Sequence, residues 1–190
     1  KNPVSRPYWI EHYSGNLIMN EQTANRIGVF NPSTDTLIEY TIPSRNPNWA
    51  DCEGIDYCGV AQVFDFAVYG EKIWFTEWVE NNIGVVDTSI SPPFSIDIDR
   101  NQITLEKGQT AQLTLGIKTL YSDTIDVTVN SSSTSTFSDI IITHEDNFSL
   151  SDETTITVEI MASEYALSGT HKVLLGAYTD DIAVSQFITV

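Results

Sequence analysis

Two stretches, Ile18-Met-Asn-Glu-Gln-Thr-Ala-Asn-Arg-Ile-Gly-Val-Phe-Asn31 and Trp74-Phe-Thr-Glu-Trp-Val-Glu-Asn-Asn-Ile-Gly-Val-Val-Asp87, decide how this chain is read. Laid on each other at an offset of 56 residues, they share Glu21/Glu77, Asn25/Asn81, Ile27/Ile83, Gly28/Gly84 and Val29/Val85, and apolar positions stay apolar. Such self-similarity marks a repeated structural unit. Each copy holds a strand (Leu17 to Glu21, or Lys72 to Trp78), a polar turn containing Asn, and a second strand that begins Ile-Gly, the pattern of a β-hairpin. Another apolar run precedes each hairpin, Tyr8 to Tyr13 and Val63 to Tyr69, and a further one, Leu37 to Ile42, follows the first.

Four short antiparallel strands per repeat are the plan of a β-propeller blade. Blades in such arrays usually take about 40–45 residues, so the excess is assigned to an insertion over Pro43 to Ala61. Two blades cannot bury both of their faces. The rest of the ring is expected from missing N-terminal blades or from another chain paired with the open edge of strand Ile83 to Asp87. Ser91-Pro92-Pro93 is a stiff connector, because proline fixes φ and restricts the residue before it.

Beyond the connector the alternation is cleaner. Runs at Phe94–Ile98, Ile103–Leu105, Gln112–Ile117, Ile125–Val129, Ile140–Thr143, Thr155–Ile160, Lys172–Ala177 and Val184–Val190 give the seven or eight strands of an immunoglobulin-like antiparallel β-sandwich. The expected fold is therefore all-β: residues 1–90 as about two blades at the C-terminal end of a propeller, 91–93 as connector, and 94–190 as the sandwich.

Nine basic and twenty-six acidic side chains give a formal net charge of −17, the wrong sign for nucleic-acid phosphates. No apolar run approaches the roughly 20 residues that span a bilayer, so contact with a membrane is expected only through an anchor outside this chain. Cys52 and Cys58 fit a small loop closed by a disulfide. The competing zinc reading wants closer cysteine pairs and additional ligands. With the sequons at Asn130 and Asn147, candidates for glycosylation, the cysteines point to an extracellular or cell-surface location.

The string Ile73-Trp-Phe-Thr-Glu-Trp78 followed by Asn82-Ile-Gly-Val-Val-Asp87 resembles the repeated signature of streptogramin B (virginiamycin B) lyase-like propellers, and Gly15 to Pro32 with Ile38 to Pro43 resembles a complete unit. The resemblance spans about residues 8 to 88. It implies a metal-assisted elimination site with two histidines and a Glu-x-His motif, and this chain has no Glu-x-His. Glu11 and His12 are adjacent instead, and the other histidines, His144 and His171, lie in the second half.

Glu11 and His12, on an inner strand, are the candidate channel-lining residues. Glu21 and Glu77 read as architectural, capping a turn or pairing with Arg26. Trp74 and Trp78 alternate onto one strand face and Phe75 onto the other, which favours packing between blades over a glycan platform. Asp97 with Asp99, and Asp180 with Asp181, are weak candidates for a divalent cation, since no loop of alternating oxygen ligands surrounds them. No catalytic residue, metal ligand or cofactor is assigned. The leading expectation is a non-catalytic extracellular binding or structural protein, the propeller serving as interaction platform and the sandwich as spacer or docking module. The alternatives are a lyase-like enzyme whose site lies mostly in absent blades, and an accessory subunit of a surface assembly.

Overall fold

In the computed structural model, residues 5–45, 60–134 and 139–190 are described. Every regular element among them is a β-strand, and every ladder is antiparallel. The all-β expectation holds for the described residues. Cys52, Cys58 and most of the Pro43–Ala61 insertion lie outside them.

The first half forms β1 (Pro7–Tyr13), β2 (Asn16–Glu21), β3 (Arg26–Asn31) and β4 (Thr36–Thr41), then β5 (Val63–Tyr69), β6 (Lys72–Glu77) and β7 (Asn82–Asp87). β1 to β4 run as a meander, here termed sheet one, and β5 to β7 form a separate three-stranded sheet two. Tight turns of the hairpin kind join the first strands: Ser14 and Gly15 both have positive φ, and Gly70 takes the equivalent place in the second copy.

The shared residues of the repeat now have physical reasons. Asn25 and Asn81 occupy the same left-handed turn position, with φ of 57° and 54°, a region that Asn tolerates better than most residues. In sheet one the Met19 side chain lies across Gly28, where a Cβ would come within 3.1 Å of Met19 Cγ. In sheet two the Phe75 ring lies so closely over Gly84 that no Cβ could be accommodated. In both copies the Gly of the Ile-Gly pair leaves a gap for the neighbouring strand's side chain, and in sheet one the Ile before it is buried.

The second half contains β8 (Phe94–Ile98), β9 (Thr110–Thr119), β10 (Ile125–Ser133), β11 (Ile140–Thr143), β12 (Asn147–Leu150), β13 (Glu153–Ala162), β14 (Lys172–Tyr178) and β15 (Ile182–Thr189). Strands in the order β11-β13-β9-β8 make one layer, and β15-β14-β10-β12 belong to the facing one. Leu113, Leu115, Ile117, Val127, Val129, Ile156, Val158, Ile160, Val173, Leu175 and Ile188 fill the space between. Each such side chain contributes about 1.5–3 kcal/mol on burial.

One expected strand is absent here, and one further strand is present. Ile103 to Leu105 is not a strand: Ile103 donates one backbone hydrogen bond to Thr189 O (2.9 Å) and buries its side chain, and the chain then turns at Gly108. Asn147 to Leu150 is a strand instead, because β10 offers it an edge, in register from Thr128↔Asn147 to Ile125↔Leu150.

The connector separates the two halves in sequence but not in hydrogen bonding. β4 pairs with β15 from Gln186↔Thr36 to Ile182↔Tyr40, so sheet one continues into the second half as one eight-stranded sheet, β1-β2-β3-β4-β15-β14-β10-β12. Ile38 and Tyr40 pack on the second-half core, and Tyr40 also packs on the core between sheets one and two. Burial accordingly raises the Tyr40 phenol above its ordinary pKa.

This continuity predicts that the two halves unfold together, in one calorimetric transition whose enthalpy matches the van't Hoff value. Tyr40→Ala is expected to cost about 2 kcal/mol and to split the transition. Two resolved transitions in the unmutated chain would contradict the shared core.

Candidate functional site

The most developed polar structure among the described residues is the seam between sheets one and two. Its apolar part is Ile18, Ile27 and Ile42 against Ala61, Val63, Phe66, Ile73, Phe75 and Val86. Two fully buried asparagines cross it. β1 slips register between Pro7 and Ile10, and Asn20 Oδ1 accepts from the freed Tyr8 (3.3 Å) and Trp9 (2.6 Å) amides. The same Asn20 donates Nδ2 to the carbonyls of Val63 and Phe64 in sheet two, both at 2.9 Å. Asn25 donates to Ile42 O (2.8 Å) and Ser44 O (3.0 Å), and its Oδ1 accepts from Ala61 N (3.0 Å).

Sheet two repeats this construction up to the point where a neighbour is needed. β5 slips register between Val63 and Phe66, and Thr76, at the Asn20 position, holds that bulge through Asp65 N (3.3 Å) and Asp65 O (3.4 Å). Beyond this the face is open. Ile27 is 0% exposed and its counterpart Ile83 is 74% exposed. Trp74, Trp78 and Val85 are exposed with it, whereas Phe75 is buried in the seam. The expected packing of Trp74 and Trp78 between sheets is therefore not made within the described residues, because their side of the strand faces away from sheet one.

The opposite face of sheet one is open in turn along β1, with Leu17 and Met19 half-buried beside it and Glu21, Leu37 and Glu39 buried farther across. Phe66 is 7% exposed in the seam, and its counterpart Ile10 is 58% exposed. Along one end of both sheets, Tyr8, Phe64 and Trp78 form an exposed aromatic row, with ring centroids 5.1 Å and 5.2 Å apart. Beside it a shallow pocket of about 520 Å³ is lined by Phe64, Thr76, Glu77, Trp78, Asn81, Asn82 and Ile83.

Glu21 and Glu77 do not pair with Arg26 as expected. Arg26 instead binds Glu39 at 3.1 Å, and Glu21 is hydrogen-bonded to Glu39. Burial, reinforced by the Glu39 charge, pushes the Glu21 carboxyl up to about 8. Glu77 takes the corresponding place in the seam, where Ser44 Oγ donates to its Oε1 (3.1 Å) and its buried Oε2 has no partner among the described residues.

The remaining candidates are scattered. Glu11 and His12 follow each other on β1, so alternation sends their side chains to opposite faces. Neither has a side-chain partner among the described residues. Asp99 accepts from Thr114 N (2.9 Å) and pairs with Arg100 (3.2 Å), contacts that hold its carboxyl below the usual range. Asp180 and Asp181 line a separate open cleft near Pro93. Among the described residues no group of three or more His, Cys, Asp or Glu is disposed to hold a metal. Asn147 is exposed on β12, with Oδ1 accepting from Thr128 Oγ1 (2.7 Å), and Asn130 is half-buried on β10.

One constellation escaped the sequence reading. His144 Nε2 lies 2.9 Å from Ser131 Oγ, and its Nδ1 lies 3.2 Å from Asp146 Oδ1 and 3.1 Å from Glu145 O. The order Ser–His–Asp resembles a nucleophile relay, which also requires a substrate cleft and donors aimed at a developing oxyanion. Neither surrounds Ser131 among the described residues. The group acts as a clasp between β10 and the segment after β11, and no motif of fixed spacing could have revealed it.

No family model matches the chain, and no curated protein matches it. Among solved structures it is similar to a FixG-related protein from Vibrio parahaemolyticus, at 8% sequence identity with a TM-score of 0.40, over 52% of this chain and 95% of that one. A likeness this slight carries no argument about function.

Two predictions follow from the buried polar groups of sheet one. Asn25→Ala strands Ala61 N and two carbonyls, and each unsatisfied buried group costs about 1–3 kcal/mol, so the loss in a denaturant titration should far exceed that of Asn81→Ala, which should stay within about 0.5 kcal/mol. Equal losses would show that the seam hydrogen bonds contribute nothing.

Glu21 binds its proton more tightly folded than unfolded. Stability should therefore be full below about pH 4.5, fall as pH rises, and level off above about pH 8. Glu21→Gln should remove that part of the slope when the midpoint of chemical unfolding is followed against pH.

Proposed function

We propose that the first half is a fragment of a β-propeller of the streptogramin lyase-like type and the second half an immunoglobulin-like sandwich. Together they serve as a non-catalytic extracellular or cell-surface binding and structural protein. The observation that carries this reading is the seam: two like sheets stack in one direction, and each leaves open the face that the other has covered. Such stacking is how repeat architectures build a continuous core.

The sandwich part of the reading is supported by two antiparallel layers of four strands each around one core. The sandwich extends sheet one outward from β4, which makes it a rigid spacer rather than a loosely tethered module. The exposed aromatic row Tyr8–Phe64–Trp78 supports a role in recognition, since such side chains are enriched where proteins meet partners. The open edge of β7 favours a second reading, an accessory subunit of a surface assembly, because unpaired strand edges template pairing.

Incubation with a streptogramin B depsipeptide, with and without added Mg²⁺, is expected to leave the ring closed by mass spectrometry. Non-reducing peptide mapping of secreted protein is expected to recover Cys52 joined to Cys58. A ring-opened product that disappears with chelator would replace this proposal with the lyase reading, and free thiols would contradict the extracellular assignment.

A further inference from the structure

The two open faces of the repeat sheets are of opposite kinds. One, on sheet two, carries Trp74, Thr76, Ile83 and Val85 at the positions that Ile18, Asn20, Ile27 and Val29 hold in the seam. The other, on sheet one, carries Ile10, Leu17, Met19 and Gly28 at the positions of Phe66, Ile73, Phe75 and Gly84. The seam inside the chain joins a face of the first kind to a face of the second. Neither open face can therefore repeat the seam with itself, but each can with the other.

Resting on the ring reading above, we propose that this chain associates with itself head to tail. The β6–β7 face of one copy takes the β1–β2–β3 face of a second copy and rebuilds the intramolecular seam between chains. Such contacts are heterologous, and they close into rings when the rotation permits. Each copy brings two sheets, so closure within the usual range of about four to eight blades takes two to four copies.

The polar contacts of the seam transfer as well. Ser5 stands where Ala61 stands: their carbonyls accept from Thr23 N (3.3 Å) and Val79 N (3.1 Å), which are also equivalent positions. Asn81, in the same turn conformation as Asn25, thus has its Oδ1 placed for Ser5 N of the second copy, as Asn25 Oδ1 receives Ala61 N. On the β6–β7 face Trp74, Thr76, Asn81, Ile83 and Val85 are neutral, and Asp87, at the other end of the two strands from Asn81, is paired with Lys72 (3.9 Å). Opposition comes from the whole-chain charge of −17, which salt screens.

Sedimentation velocity of the whole chain tests this, over a range of concentrations and at low and high salt. The expected result is a concentration-dependent species larger than one chain, favoured by salt. Ile83→Asp and Ile10→Asp, both at exposed positions, should each give a monomer. An equimolar mixture of the two variants should give a dimer and nothing larger, because each retains the face that the other lacks. A wild-type monomer at every concentration and salt level would overturn the proposal, as would a mixture that remains monomeric.

Dye binding separates this failure from failure of the ring reading. A monomer that binds an apolar dye at a site lost in Ile83→Asp leaves the ring reading standing with another occupant. A monomer that binds none removes that reading too.

Discussion

Everything in the first half depends on burying one side of a repeat sheet against the opposite side of the next. The constraint is steric as much as hydrophobic. Gly84 must lack a Cβ for Phe75 to lie flat over it, and only then can Phe75, Ile73 and Phe66 present a continuous surface to Ile18 and Ile27. Asn20 makes this surface specific, because its amide satisfies backbone groups in both sheets at once and so fixes the offset between them, and Asn25 ties the segments after β4 and before β5 to the turn between β2 and β3. A purely apolar seam of this size could slide.

The second constraint is the joining of β4 to β15. A strand edge that would otherwise be open to solvent is covered by the last strand of the chain, over five residue pairs. Tyr40 then belongs to two cores, its ring packing on both. The halves differ in kind: the second encloses its own core between two layers, and the first encloses a core on one side only. Covering β4 stabilises the less complete half through the more complete one, and leaves the outer faces of the repeat sheets as the place where an added element gains most.

Most of the second half was legible in sequence, since alternation at period two over β9 and β13 survives in the buried positions. The exceptions are instructive. Ile103 to Leu105 and Asn147 to Leu150 both alternate, yet the first meets only the last residue of β15, at the Gln102–Thr189 bridge, and the second pairs with β10 over four residues. Strand formation for three or four residues is decided by the available edge rather than by local pattern. The candidate site was legible only in part: the repeat pointed to the hairpins, but the roles of its shared residues did not follow from it. Arg26 had Glu21 directly across from it on β2 and took Glu39 on β4 instead.

By itself the sequence determined that the chain is a β protein, that two of its hairpins are copies, and where proline breaks it, because these follow from side-chain period, identity at fixed offset and backbone stereochemistry. Only the tertiary structure decided that β4 joins β15, that Ser131, His144 and Asp146 meet, and which face of each repeat stays open. Those outcomes rest on contacts between residues far apart in the chain, where the energy of a pairing depends on what both partners could have touched instead.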